Sequence, residues 1–223
     1  MLAPDSEACI PPESVEIFRQ CRIFIVESLK SGRRHIKKLV PDKAISECVF
    51  LELNEHTEPL DYSRYLDAAG NGESICLISD AGSPCIADPG AAVVKLAHRQ
   101  GIRVQPHSGP SSIFMALMAS GFDGQKFRFH GYLSRNQSER RNQIKQMERE
   151  VHDRRVTQIF METPYRNKAL FGDLLKTLNG KTRLAVACDI TSAQELIVNY
   201  DIDTWKSEEE PLIHKRPCIF ILG

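Results

Sequence analysis

Short apolar runs alternate with amphipathic stretches along most of the chain. This alternation is typical of β-α-β units with a largely parallel sheet. In the first half it predicts strands at residues 23–26, 49–53, 75–78 and 102–104. It predicts helices at residues 13–20, 33–39, 62–69, 91–100 and 110–120. Gly101 stands where a left-handed cap would end the fourth of these helices, and Gly121 follows the fifth.

The pattern breaks at residues 121–124, Gly-Phe-Asp-Gly, and we place a domain boundary there. This gives an N-terminal domain of residues 1–123 and a C-terminal domain of residues 124–223. In the second domain the pattern predicts strands at residues 127–130, 157–161, 183–188, 195–198 and 218–222, and helices at residues 137–151 and 167–178. The predicted fold class is α/β, as two α/β domains with mostly parallel or mixed sheets.

Residues 1–14 are polar and rich in proline. An open α/β domain usually starts with a buried strand that leads into a ligand loop. We therefore expect the N-terminal domain to lack its first strand.

Charge is balanced, with 29 Lys and Arg against 29 Asp and Glu. Such a chain has no strong long-range attraction for nucleic acid, so contact with RNA depends on local patches. Two basic clusters on predicted helices are candidates for phosphate contacts, and a solvated helix face is the alternative interpretation of each. They consist of Lys30, Arg33, Arg34, Lys37 and Lys38 in the first domain, and of Arg135, Arg140, Arg141 and Lys145 in the second.

The sequence contains no apolar run of the roughly 18 residues that a membrane span requires, and its first residues are too polar for a signal peptide. We expect a cytoplasmic protein without a membrane partner. The seven cysteines are scattered and form no C-x-x-C pair. They predict neither a disulfide nor a zinc site.

Two loops rich in small residues follow consecutive predicted strands. Residues 79–90 read SDAGSPCIADPG and residues 107–112 read HSGPSS. Open α/β sheets bind ligands at the carboxyl ends of their strands, and small residues let the backbone approach a ligand. Asp80 and Asp88 can accept hydrogen bonds from ligand amines or hydroxyls. The alternative is a pair of structural turns, in which Asp88 and a serine only cap helices.

Common nucleotide-binding and hydrolase motifs are absent from the sequence. It contains no G-x-G-x-x-G, no complete P-loop, no G-x-S-x-G and no H-E-x-x-H. Kinase, P-loop and classical dehydrogenase functions are therefore disfavoured.

Five segments occur in a distinctive order: SDAGSP at 79–84, DPG at 88–90, SGPSS at 108–112, GYL at 131–133 and ETPYR at 162–166. From about residue 23 to the C-terminus, the chain resembles the ribosomal RNA small-subunit methyltransferase I family of the tetrapyrrole methylase superfamily. The resemblance implies two α/β domains, with S-adenosylmethionine bound without metal in the cleft between them, and a homodimer. The sequence departs from the family pattern at its start, at residues 27–30 (ESLK in place of E-D-T-R) and at residues 163–166 (TPYR in place of S-P-H-R).

Carried over by position, the resemblance implies a set of methyl-donor-binding residues. They are Ser79, Asp80, Gly82, Ser83, Ile86, Ser112, Ile113, Met161, Glu162, Cys188, Asp189 and Pro217.

The function that this resemblance implies is S-adenosylmethionine-dependent methylation of a ribose 2′-hydroxyl in small-subunit ribosomal RNA. A base must then take the hydroxyl proton, and the polar candidates near strand ends are Glu27, His56, Asp80 and Glu162, each with a structural alternative. We expect Arg33, Arg34, Arg140 and Arg141 to contact the RNA. The alternatives are a methyltransferase for a tetrapyrrole or other small molecule, and a binding protein that keeps the fold without activity.

Overall fold

In the computed structural model, which describes residues 9–54, 56–58 and 61–223, the chain divides into two units, residues 9–110 and residues 111–223. The elements of the first unit are α1 (Pro12–Gln20), β1 (Ile23–Val26), α2 (Leu29–Leu39), a 3₁₀ turn (Ile45–Glu47), β2 (Val49–Glu52), α3 (Asp61–Tyr65), α4 (Asp67–Gly70), β3 (Ile75–Ile78) and α5 (Ala91–Arg99).

The first unit is built on a parallel sheet in the order β2-β1-β3. Ile23 lies opposite both Val49 and Ile75, so all three strands end at the same edge. Because side chains alternate along β1, Ile25 packs into one apolar cluster with parts of α3 and α5, and Phe24 packs into another with α2. The sheet therefore carries helices on both faces.

Two predictions for this unit are wrong. Residues 102–104 form no strand, since Ile102 alone packs inward and the side chains at 103–109 are exposed. The helix predicted at residues 62–69 is two short helices, α3 and α4. Helix α2 begins at Leu29 rather than Arg33, because the Ser28 hydroxyl accepts a hydrogen bond from the Ser31 amide at 3.4 Å and caps it.

The second unit comprises α6 (Ser112–Ser120), β4 (Phe127–Tyr132), α7 (Gln137–Arg154), β5 (Thr157–Glu162), a 3₁₀ turn (Pro164–Arg166), α8 (Asn167–Thr177), β6 (Arg183–Cys188), β7 (Leu196–Asp201), α9 (Ile202–Ser207) and β8 (Cys218–Leu222). Its sheet is mixed, in the order β4-β5-β8-β6-β7. Strands β4, β5 and β6 run in one direction, and β7 and β8 run in the other. A parallel sheet and a mixed sheet, each with helices, confirm the predicted fold class.

Helix α6 belongs to the second unit rather than the first. Its Ala116 and Leu117 are buried against Ile159, Ala185 and Ile221 of the mixed sheet. The division therefore falls before α6, whereas the sequence pattern places it after residue 123. The opposite face of the sheet packs against α7, α8 and α9.

Helix α9 was not predicted from the sequence. The Asp201 carboxylate caps it by accepting from the Thr204 amide at 2.8 Å, and Ile202 and Trp205 are buried in the core. No helix within the described residues is long and apolar enough to cross a membrane.

Candidate functional site

Glu27, directly after β1, ties the loop at residues 79–90 to the carboxyl edge of the first sheet. Its Oε1 accepts from the Ser79 hydroxyl at 2.9 Å and from the Asp80 amide at 2.8 Å. Burial raises the pKa of the Glu27 carboxyl, the two hydrogen bonds oppose that rise, and the neighbouring Asp88 carboxyl adds to it. Glu27 therefore holds a proton more readily than an ordinary glutamate.

Asp80 lies beside the basic helix α2. Burial raises the pKa of its carboxyl, whereas a hydrogen bond with Ser31 and the charges of His35 and Arg34 lower it, and Asp88 raises it. The net direction is upward. A ligand amine that binds Asp80 would therefore also lie close to Ser31, Arg34 and His35 of α2.

Asp88 closes the loop on itself. Its Oδ1 accepts from the Cys85 amide at 3.0 Å and from the Gly90 amide at 2.7 Å. Cys85 and Ala87 are held at φ values of 69° and 55°, a left-handed conformation that costs non-glycine residues about 1–3 kcal/mol each. Asp88 thus closes a strained loop rather than capping α5, whose N-cap Gly90 makes no side-chain capping hydrogen bond.

The same loop contains one exposed apolar side chain and one glycine whose surroundings leave no space for a larger residue. Ile86 is 51% exposed. A Cβ on Gly90 would stand 2.7 Å from Leu77 Cδ2 and 2.8 Å from Asp88 Oδ1, so only glycine fits this backbone position. Gly82 has a φ of 82°. The conformation of this loop therefore requires glycine at positions 82 and 90.

The second loop leads into α6. Ser111 occupies the N-cap position but makes no side-chain capping hydrogen bond, so the simple capping interpretation fails for it. Ser112 is buried at the first position of α6, and Ile113 packs against the apolar cluster beneath the mixed sheet.

In the second unit, strand register brings most of the other predicted donor-binding residues together. Glu162 and Cys188 both lie opposite Cys218, and the Asp189 amide donates to the Pro217 carbonyl at 3.0 Å. Met161 precedes Glu162 on β5. The carboxyl ends of β5 and β6 and the amino end of β8 thus form one edge.

Arginines neutralise the carboxylates of this edge. The buried Glu162 accepts from the Thr163 amide at 2.7 Å and pairs with Arg166. Asp189 Oδ2 pairs with Arg216 Nε at 2.6 Å. Arg216 was missed by the sequence reasoning, although the basic run at residues 214–216 just before the last strand is a signal for it.

The loop after β6 carries an orphaned hydroxyl. The Thr191 Oγ1 is buried without a hydrogen-bond partner among the described residues, and Asp189 and Thr191 have φ values of 47° and 77°. The thiol of Cys188 is fully buried against that of Cys218, whose hydrogen bond lowers the pKa of Cys188. Cys188 can therefore meet a ligand only through its backbone, whereas Thr191 retains unused hydrogen-bonding capacity.

Comparison with known proteins identifies the family. A profile described as "Tetrapyrrole (Corrin/Porphyrin) Methylases" matches residues 3–204. The chain belongs to the tetrapyrrole methylase family. Proteins named ribosomal RNA small subunit methyltransferase I are similar to it: one from Xylella fastidiosa is 32% identical over 96% of this chain and 75% of its own length, and one from Leptospira borgpetersenii is 36% identical over 80% and 68%.

Among solved structures, the methyltransferase CobJ is similar to this chain with a TM-score of 0.64 at 14% identity, covering 98% of this chain and 90% of CobJ. This likeness supports a shared tetrapyrrole methylase fold. The chain spans only part of the curated relatives: a Pseudomonas aeruginosa relative, 29% identical over 84% of this chain, is covered over 64% of its length.

Three of the other predicted residues of this tetrapyrrole methylase, His56, Arg33 and Arg34, are exposed on the first unit. His56 is exposed just beyond the carboxyl end of β2, and its amide donates to Asn54 Oδ1 at 2.9 Å. Arg33 and Arg34 are exposed on α2, and the Arg33 guanidinium lies 5.4 Å from the centre of the Phe50 ring.

Arg140 is engaged inside the protein. It is 7% exposed; its Nε and Nη2 donate to Asp173 Oδ2 at 2.9 and 2.5 Å, and its Nη1 donates to the carbonyls of Ser134 and Arg135. Arg141 Nε donates to the other Asp173 oxygen at 2.9 Å from a more exposed position. This geometry favours a structural part for Arg140, so an RNA contact from this pair rests on Arg141.

Proposed function

We propose that this chain transfers a methyl group from S-adenosylmethionine to a ribose 2′-hydroxyl of small-subunit ribosomal RNA. Membership of the tetrapyrrole methylase family and the names of its relatives support the reaction and the substrate. The structural observation that carries the proposal is the cluster of Glu27, Ser79 and Asp80 at the carboxyl edge of the first sheet. A cytoplasmic location follows from the substrate.

The residues present fit the methyl donor. In the first unit, Asp80 and Ser79 offer polar partners for an amino acid moiety, the tight turn of Gly82 and Ser83 admits close approach, and Ile86 offers apolar surface. In the second unit, the buried Thr191 hydroxyl lacks a partner among the described residues and suits a polar edge of the donor. Met161 and the backbone at Cys188 and Pro217 are the other donor contacts that we propose within the second unit.

When bound, S-adenosylmethionine supplies a methyl group already activated on a sulfonium. The protein therefore needs chiefly to hold the acceptor oxygen in line and to accept its proton. Glu27 suits the second task, because its raised pKa brings the carboxyl nearer to neutral pH and its Oε1 is held by a hydroxyl and an amide rather than by a guanidinium. Glu162 suits it less, since Thr163 and Arg166 occupy its two oxygens.

Helix α2 lies next to Asp80, where the Arg34 charge acts to lower the pKa of that carboxyl. We propose that the exposed Arg33 and Arg34 of this helix form the path for the RNA backbone. Phosphate contacts position RNA without reading its sequence. Arg141 is a further candidate in the second unit.

A methylation assay with labelled donor and small-subunit ribosomal RNA tests the proposal. We expect label in a 2′-O-methylnucleoside, identified by mass spectrometry, and equal activity with a chelator present. Asp80→Ala should weaken donor binding in calorimetry, whereas Glu47→Ala, at the opposite edge of the same sheet, should not. Label on a base, or none in any RNA despite donor binding, would contradict the proposed reaction.

We also propose a homodimer that uses the outer face of α6. Met118 is 83% exposed and Phe114 is 56% exposed, with the Phe114 ring packed edge-on against Phe127 at 6.0 Å. Large exposed apolar side chains grouped on one helix are typical of association surfaces. Light scattering should give twice the mass of 25.2 kDa. Met118→Glu should shift the species towards a monomer, and a monomeric parent protein would contradict the proposal.

A further inference from the structure

An exposed tyrosine stands at the edge where β5 ends. Tyr165, in the 3₁₀ turn after Glu162, is 72% exposed, and the ammonium of Lys215 lies 5.8 Å from its ring centre. Most aromatic side chains of this chain are buried or pack against other rings, as Phe160 and Phe171 do. Tyr165 thus presents a flat ring and an adjoining positive charge to solvent.

The two segments that carry this pair are fixed to each other. The Lys215 amide donates to the Pro164 carbonyl at 3.0 Å. The fully buried Asn167 amide group donates to the carbonyls of Ile213 and Arg216 at 3.1 and 2.7 Å. Arg216 in turn pairs with Asp189. The backbone beneath the ring is therefore set in place before any partner arrives, which lowers the entropic cost of binding.

The chemistry of the exposed groups fits an unpaired nucleotide. Single-stranded RNA is recognised by aromatic rings on which bases stack, together with cations that meet the phosphates. Lys215 is exposed beside the Tyr165 ring, and its neighbour in sequence, His214, is exposed as well. The Glu210 carboxylate, earlier in the same segment, pairs with Lys168 at 3.2 Å. A purely apolar partner would leave the Lys215 charge without a complement.

We propose that Tyr165 and Lys215 form a stacking platform for an unpaired base of the RNA acceptor. This inference rests on the proposed function, because it assigns part of the RNA substrate to a surface of the second unit. The platform tolerates any base, since every base has a face on which the ring can stack. It therefore positions the acceptor strand and leaves the choice of sequence to other contacts.

Binding of a labelled single-stranded fragment of small-subunit ribosomal RNA, followed by fluorescence anisotropy, tests the platform. Tyr165→Ala should weaken binding by roughly 5- to 100-fold, as loss of one stacked base does, while Tyr165→Phe should bind like the parent. Lys215→Ala should reduce the slope of log affinity against log salt by about 0.7, the value for one phosphate contact on a single strand. Lys181→Ala, an exposed lysine at the opposite edge of the same sheet, is the matched control and should leave both quantities unchanged.

The outcomes separate this inference from the proposed function. If the parent protein methylates the RNA and Tyr165→Ala binds it equally well, the platform alone is overturned. If Tyr165→Ala also loses donor binding in calorimetry, the ring serves the donor and the platform is again overturned. If the parent binds no RNA at all, both proposals fall. Unchanged thermal midpoints of the variants ensure that a loss of affinity is not a loss of fold.

Discussion

Buried and half-buried carboxylates have different hydrogen-bond partners in the two units. In the second unit, Glu162, Asp173 and Asp189 each receive an arginine guanidinium. In the first unit, the hydrogen bonds that Glu27 accepts from Ser79 and Asp80 come from a hydroxyl and an amide. A carboxylate with a guanidinium is committed to the fold, whereas one with neutral donors keeps a raised pKa and remains available to a ligand.

The sheets differ in the same sense. Strands β5, β6 and β8 of the second sheet are buried along all or nearly all of their length, and only its edge strands β4 and β7 are partly exposed. In the first sheet β1 alone is fully buried, and its neighbours β2 and β3 are only partly buried. Local stability follows buried apolar contact, so the first unit should open more readily than the second. The loop at residues 79–90, with its strained residues, therefore belongs to the unit that we expect to open more readily.

The largest effect on stability should come from Asp173→Ala. This change leaves the buried Arg140 without its carboxylate and should lower the free energy of unfolding by about 3–5 kcal/mol, as measured by chemical denaturation. Burial acts to raise the pKa of Asp173, but the hydrogen bonds from Arg140, Arg141 and Gln137 prevail and lower it. This contribution to stability is present above the unfolded pKa of about 3.9 and is lost as the pH falls through the folded value.

The control for that change is Asp203→Ala, which removes an exposed partner of Lys181 and Lys206 in the same unit. Exposed pairs contribute roughly 0–1 kcal/mol. Equal destabilisation by the two alanine variants would show that Asp173 is no more committed to the fold than a surface aspartate.

Replacing one helical glycine in each unit by alanine should give the next largest change in stability, and the two changes should have opposite signs. A Cβ on Gly32 of α2 would stand 2.6 Å from Val26 Cγ1, so Gly32→Ala should destabilise by about 1–3 kcal/mol through overpacking. Gly172 of α8 has no atom within 4 Å of such a Cβ, so Gly172→Ala should stabilise by about 0.5–1 kcal/mol. Thermal unfolding measures both, and a shift of the same sign in each would refute the contrast.

Glu27→Gln should have the smallest effect on stability and a large one on catalysis. Because the folded pKa of Glu27 is raised, the parent protein loses stability as the pH rises from the unfolded value through the folded one, and the glutamine variant should not. Its side-chain oxygen can still accept from Ser79 and Asp80. We expect kcat to fall by about 10²–10⁴-fold, the usual contribution of a general base, with donor affinity nearly retained. Retained kcat would remove Glu27 from the mechanism.

Local pattern was sufficient to predict most elements of the fold. Strands β1, β3, β6 and β8 have the bounds that their apolar runs predict. The pattern failed where tertiary contacts decide: α6 is apolar on the side that packs against the mixed sheet, a partner that sequence alone does not reveal. Helix α9 was missed because six residues give too little periodicity to detect.

The candidate site was predictable as backbone segments but less so as side chains. Loops after strand ends follow from topology, so residues 79–90 could be marked in advance. Residues 162–166 were marked by the family resemblance. The part played by Arg140 depends on Asp173, which is 33 residues away in sequence. An aspartate flanked by Phe171 and Leu174 on the buried face of α8 is the signal that reveals such a pair.

Trp205 is the only tryptophan of the chain, and it is buried in the second unit. Its indole Nε1 donates to the Leu184 carbonyl at 2.8 Å, and the Phe171 and Tyr200 rings meet it edge-on at 5.3 and 5.0 Å. Intrinsic indole fluorescence is consequently blind to the first unit, while circular dichroism registers the helices of both. Following one denaturation with these two optical signals reveals whether the units melt in a single cooperative transition or in succession.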